Sequence, residues 1–166
     1  MKTLMLMRHA KSSHDNHSLS DFDRPLNDRG KADVEEMGKR LLKNKIKPAV
    51  LISSPAKRAL KTAKHIASNL GIKESDICLE YDIYEASIED LLHVIRNIDD
   101  EIKSAMLFGH NPAFTGLIGY LTHTPIENLP TAGIATIAFP IQTWKQIAEK
   151  SGELIWLDFP KNPISG

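Results

Sequence analysis

Cysteine is nearly absent. Cys78 is the only one, which excludes an internal disulfide and any zinc site built on several cysteines. Long hydrophobic runs are absent as well. No stretch approaches the ~20 apolar residues that span a bilayer, so no membrane partner is expected. The apolar segment Thr3–Met7 is too brief for the core of a signal peptide, and a cytoplasmic location is expected. Net charge is also missing: lysine plus arginine and aspartate plus glutamate stand at 21 each. The basic excess of a nucleic-acid binder is not there, so nucleic acid is not an expected partner. Any positive charge that matters must be gathered locally. No repeat and no low-complexity linker interrupts the chain. Residues 1–166 therefore read as a single domain, a length that suits one compact core and is expected to be monomeric. With 42% hydrophobic and 25% charged residues, the composition is that of a folded protein rather than a disordered one.

What is present is an alternation of strand-like and helix-like segments. Thr3–Met7 suits a buried strand. A helix follows from Asp28 to about Lys45, with Val34, Met37, Leu41 and Leu42 on one face. Ala49–Ser53 is a second strand. Residues 55–70 form a helix with Ala59, Ala63, Ile66, Ala67 and Leu70 on one side, and Gly71 stops it. Ile77–Glu80 reads as a short strand, Ile88–Ile98 as a helix, Ala105–Phe108 as a strand and Pro112–Leu121 as a helix. Ile134–Phe139 and Glu153–Phe159 are two further strands, suited to antiparallel pairing, with a short helix over Trp144–Lys150 between them. This pattern predicts an α/β fold, a three-layer α/β/α sandwich around a mostly parallel sheet. In such sheets ligands bind beyond the carboxyl ends of the strands.

Three of those ends carry cationic or imidazole side chains. The first strand ends at Arg8-His9. The second runs into Ser53-Ser54-Pro55-Ala56-Lys57-Arg58. The fourth runs into Gly109-His110-Asn111-Pro112. Ser54 with Pro55, and Asn111 with Pro112, also read as helix caps followed by a first helical proline. Helix N-termini favour an anion, and guanidinium groups match phosphate oxygens with paired hydrogen bonds. Taken singly, each arginine is most simply a solvated surface residue and each histidine a structural one. Together, converging, they imply a phosphate ligand.

These segments resemble a known family. Met7-Arg8-His9-Ala10-Lys11-Ser12 is similar to the Arg-His signature of the histidine phosphatase superfamily, with alanine where glycine is more frequent. The run from Ser53 to Ala63 resembles its second motif, with the motif's arginine at Arg58, and Gly109-His110-Asn111-Pro112 resembles its second-histidine motif. Asp21-Phe22-Asp23-Arg24-Pro25-Leu26-Asn27 and Asn128-Leu129-Pro130-Thr131-Ala132 point to the SixA-like phosphohistidine phosphatase branch. The resemblance implies a phosphoglycerate mutase-like fold, His9 as nucleophile, and Arg8, Arg58 and His110 as holders of the phosphoryl oxygens. It implies no metal and no organic cofactor.

The chemistry requires a neutral imidazole, so nearby Arg8 and Arg58 are expected to lower the pKa of His9. The other ring nitrogen needs a fixed partner, with a backbone carbonyl expected. Truncating one phosphoryl-binding donor is expected to cost ~10²–10³ in turnover. Arg24 reads either as a further phosphate ligand, as the resemblance implies, or as a surface salt bridge with Asp21 or Asp23. Glu85 falls where many superfamily members carry a proton donor; the plainer reading is a solvated loop residue. His14 and His17 do not make a metal site. Thr131 reads as a pocket-rim or strand-entry residue, and Trp144 and Trp156 as packing residues. Lys57, Lys61 and Lys64 read as a solvated helix face, with attraction of an acidic partner protein as the lesser reading.

The implied activity is transfer of a phosphoryl group to His9 and then to water, with protein phosphohistidine, such as a carrier domain, as substrate. A sugar or nucleotide phosphomonoester is the alternative. Beyond these stand a mutase and a non-catalytic phosphate-binding module.

Overall fold

The computed structural model describes residues 1–162, so the last four residues of the expected 1–166 domain lie outside the described residues. Its elements are β1 (Lys2–Arg8), α1 (Asp28–Lys43), β2 (Val50–Ser53), α2 (Lys57–Leu70), β3 (Cys78–Leu79), α3 (Ile88–Arg96), β4 (Ser104–Gly109), α4 (Ala113–Leu121), β5 (Ile134–Phe139) and β6 (Glu153–Asp158). One sheet holds the strands in the order β3-β2-β4-β1-β5-β6. The pairs β3–β2, β2–β4 and β4–β1 are parallel, whereas β5 runs antiparallel to both β1 and β6. This is the expected α/β architecture, with the two last strands paired antiparallel at one side.

The unbroken apolar run of β1 follows from burial on both faces. Leu4 and Leu6 point into one core with α3 and α4, and Met5 and Met7 point into the other with α1 and α2. The sheet is thus covered on both sides, giving three layers. α1 begins where the Asn27 side chain accepts the Gly30 amide at 2.8 Å. α2 ends at Gly71, whose φ of +69° places it in the left-handed region.

Four local expectations need correction. Leu42 is 52% exposed, because the buried stripe of α1 passes through Val34, Met37 and Leu41 and has rotated past it. α2 starts at Lys57 rather than Pro55, and no side chain caps it. Pro112 occupies the cap position of α4 rather than its first turn, while Asn111 Oδ1 accepts from the Thr115 amide at 3.2 Å. The Trp144–Lys150 segment is a single 3₁₀ turn over Trp144–Gln146. Trp144 is fully buried and donates its indole N–H to the Ile102 carbonyl at 2.9 Å, while Trp156 is half-buried against the core beneath α1 and α2. Both act as packing residues.

Candidate active site

Strands β2, β4 and β1 are neighbours and parallel, so their carboxyl ends come out side by side. Arg8 pairs with Gly109 in the ladder, which sets the Arg8-His9 and Gly109-His110 segments next to one another. A pocket of about 470 Å³ opens there, and Arg8, His9, Arg24, Arg58 and His110 all line it.

His9 is 8% exposed. Its Nδ1 lies 2.7 Å from the carbonyl oxygen of Ala10. A carbonyl only accepts, so Nδ1 carries the ring hydrogen and Nε2 keeps its lone pair. The expected backbone carbonyl is therefore that of the very next residue. The pKa of His9 is lowered to about 4, first by burial and then by the charges of Arg58, Arg8 and Arg24, against the Ala10 bond that raises it. The direction is the one expected from the arginines, but burial is the larger cause.

His110 stacks at a tilt against His9, with ring centroids 5.3 Å apart. Its Nε2 is 2.8 Å from Ser54 Oγ, which also accepts the Ala56 amide at 3.2 Å. Ser54, read as a helix cap, is instead a partner of the second histidine. Burial, then the neighbouring His9 and Arg58, lowers the pKa of His110 to about 3. Both imidazoles are neutral near neutral pH.

Arg8 donates from Nη1 to the Leu129 carbonyl at 3.0 Å. Burial and the adjacent Arg58 pull its pKa down from the usual arginine value. Arg58 is 6% exposed and donates to Asp21 twice, from Nη1 to the main-chain oxygen at 2.7 Å and from Nη2 to Oδ2 at 3.0 Å. Three buried nitrogens here have no hydrogen-bond partner among the described residues: Arg8 Nε, Arg58 Nε and His110 Nδ1. Unpartnered buried nitrogens are rare, and three on residues lining one pocket suit a site made for an anion.

The expected salt bridge of Arg24 with Asp21 is present, and the residue also lies in the pocket wall. It gives Nε and Nη2 to Asp21 Oδ1 at 3.2 and 3.0 Å. Its Nη1 donates to Ser12 Oγ at 2.8 Å and lies against the ring of His14. Asp21 thus joins Arg24 to Arg58. The Tyr84 hydroxyl donates to Asp21 Oδ2 at 2.7 Å and, with the two arginines, holds the Asp21 carboxyl at about 2. Burial first, and Asp21 second, pushes Tyr84 up to about 12.

Glu85 stands outside the pocket wall, and its charge reaches the site only through the neighbouring Tyr84. It is exposed, and its φ is +54°. Thr131, which reads first as a strand-entry residue and second as a rim residue, is among the pocket-lining residues. Sequence reasoning missed Lys11, Ser12, His14, Asn27 and Asn111 as lining residues. It also gave Asp21 no role in the site, although an aspartate three residues before an arginine was the available signal.

The model of the histidine phosphatase superfamily (branch 1) matches residues 4–91, which carry the β1 and β2 strand ends with their motifs. The chain belongs to that superfamily. Among solved structures it is similar to SixA from Agrobacterium tumefaciens, assigned as a phosphohistidine phosphatase: 27% identity, a TM-score of 0.80, and coverage of 96% of this chain and 98% of that one. The SixA-like resemblance read from the sequence thus has a counterpart in the fold. A mycobacterial glucosyl-3-phosphoglycerate phosphatase shares the fold at 14% identity and a TM-score of 0.70, covering 94% of this chain and 98% of its own. An uncharacterised chloroplastic protein of Arabidopsis thaliana is 28% identical over 163 residues, 93% of this chain and 74% of the relative.

Proposed function

We propose that the protein is a phosphatase that takes a phosphoryl group onto Nε2 of His9, with phosphohistidine on a protein as the substrate. The observation that carries the reading is the bond from His9 Nδ1 to the Ala10 carbonyl, which leaves Nε2 as a bare nucleophile in a pocket lined by three arginines. In the first step a Nε2–P bond forms as the substrate's P–N bond breaks, and the leaving imidazole takes a proton from solvent. In the second step water attacks phosphorus, the Nε2–P bond breaks, and inorganic phosphate leaves with neutral His9 restored. Charge building on the three equatorial oxygens is met by Arg8, Arg58, Arg24 and the His110 N–H.

The preference for phosphohistidine rests on the leaving group. Among the described residues no aspartate or glutamate lines the pocket, and the Asp21 that ties Arg24 to Arg58 is held ionised and so offers no proton. Imidazole departs far more readily than an alkoxide, which needs an acid. Glu85 has no part in this reading. Likeness to a SixA structure supports the same substrate class, and a phosphorylated carrier domain is the partner it implies. The second reading, a small phosphomonoester, is favoured by the fold shared with the glucosyl-3-phosphoglycerate phosphatase.

One comparison separates the readings. Wild type and His9→Ala are given a phosphohistidine-bearing carrier domain and p-nitrophenyl phosphate, and phosphate release is followed. Turnover of the carrier well above that of the ester, lost in His9→Ala and retained in Glu85→Gln, is the expected result. Preference for the ester moves the assignment to small molecules, and release from neither substrate leaves only a phosphate-binding module.

A further inference from the structure

A buried hydroxyl on α2 ties the helix to the loop that follows His9. Thr62 lies one turn beyond Arg58 on α2 and is fully buried. Its Oγ1 donates to the Arg58 carbonyl at 2.7 Å, an ordinary back-bond for threonine in a helix. The same oxygen also accepts the amide of Ala10 at 3.0 Å, and this second bond leaves the helix altogether. It reaches the residue whose carbonyl receives the His9 ring. One hydroxyl therefore links the backbone of Arg58 to the loop that sets the orientation of His9.

The rest of that loop is held by main chain. The His9 amide donates to the Gly109 carbonyl at 3.0 Å, the His9 carbonyl accepts from the Ala132 amide at 3.1 Å, and the Lys11 carbonyl accepts from the Asn27 amide at 3.0 Å. The Ala10 amide has no such main-chain partner among the described residues, and Thr62 is what satisfies it. Without the hydroxyl a buried N–H is left bare, and the loop regains freedom to move toward water or another acceptor. Movement at Ala10 carries its carbonyl away from Nδ1. The ring hydrogen then has no reason to stay on that nitrogen.

We propose that Thr62 is a positioning residue whose hydroxyl holds the Ala10 peptide in place, keeping His9 in the tautomer with Nε2 free and at a fixed distance from Arg58. This inference rests on the reading of Nε2 as the nucleophile. It goes beyond that reading in naming the side chain that sets the tautomer from a distance.

Thr62→Val keeps shape and removes the hydroxyl; Thr62→Ala removes it without the bulk of a second methyl, should the valine variant fold poorly; Thr62→Ser retains it. Two readouts are taken well below each variant's melting temperature. Long-range ¹⁵N–¹H correlation of the His9 ring reports the tautomer directly, and phosphorylation of His9 by phosphoramidate in a single turnover reports nucleophile placement. The expected result is a fixed Nδ1–H tautomer in wild type and Thr62→Ser, and a mixed one in the valine and alanine variants. Those two variants should also phosphorylate about 10- to 100-fold more slowly, with competitive inhibition by inorganic phosphate little changed. A folded valine or alanine variant with the wild-type tautomer and rate overturns the proposal. If wild type itself is not phosphorylated while the tautomer still follows the hydroxyl, the positioning role stands and the phosphatase reading falls.

Discussion

His9 and His110 are each neutral because each is buried beside cations, and this has a signed consequence for pH. An unfolded histidine titrates near 6.5, whereas His9 in the fold titrates at about 4 and His110 at about 3. Between those values the unfolded chain binds protons that the folded one does not, so stability rises with pH across this window and is lost as acid is added. Thermal melts from about pH 7 down to about pH 4.5 should show a falling midpoint. A His9→Gln/His110→Gln double variant should show a smaller fall; an equal fall would mean that other groups dominate. Activity has the same origin. The acid limb of kcat/KM reports the free enzyme's essential groups, so turnover should persist well below pH 6.5, toward about 4. At this scale the sequence was informative about identity and silent about partners. The need for a backbone carbonyl on Nδ1 follows from chemistry, but that the carbonyl belongs to Ala10 depends on how the loop folds back.

At the scale of elements, the loop that follows His9 is wedged between α1 and α2. A Cβ built on Gly30 would stand 2.1 Å from the Lys11 carbonyl oxygen, and neither atom is a side-chain end that could swing aside. Gly30→Ala should therefore displace the loop, lower stability by ~1–3 kcal/mol and reduce turnover with it. Gly71→Ala is the control. Its Cβ would meet nothing within 4 Å, so only the left-handed backbone opposes it, at ~1–2 kcal/mol, with turnover unchanged. Melting temperature and kcat measured on both variants check the contrast. The strands and most helix spans were legible because apolar periodicity reports burial directly. The helix starts were not. Ser54 has the chemistry of a cap, yet its hydroxyl bonds to His110, 56 positions away, and no local pattern reveals such a competitor. Leu42 failed for a simpler reason: two adjacent leucines cannot share the centre of one helical stripe.

Over the whole molecule, the sheet order places β4 between β1 and β2, and this brings three sequence-distant motifs to one edge. That convergence was legible only as a rule about strand ends, while the order itself comes from packing. The carboxyl end of β6 lies at this same end of the sheet, with Asp158 in line with Ile134 and Met7, and it is fastened by an ion pair of its own. Arg40 on α1 is buried and pairs with Asp158 at the end of β6 at 3.2 Å, with further bonds to the carbonyls of Phe159 and Pro160 at 2.8 and 3.0 Å. Removing Asp158 leaves the buried Arg40 guanidinium only the more exposed Glu36, at 3.2 Å, as a counter-charge. Asp158→Ala should cost ~3–5 kcal/mol in denaturant unfolding while leaving kcat near wild type below its melting temperature. A matched loss of kcat would show that the fastening reaches the pocket. The proposed chemistry belongs to the pocket alone, with His9 accepting phosphorus on Nε2. The direct measurement is rapid quench of wild type with phosphoramidate, followed by alkaline digestion and mass mapping of the phosphate. The expected product is an acid-labile, alkali-stable phosphate on the peptide containing His9, on Nε2, with none in His9→Ala. Phosphate found on His110, or full turnover by His9→Ala, would contradict it.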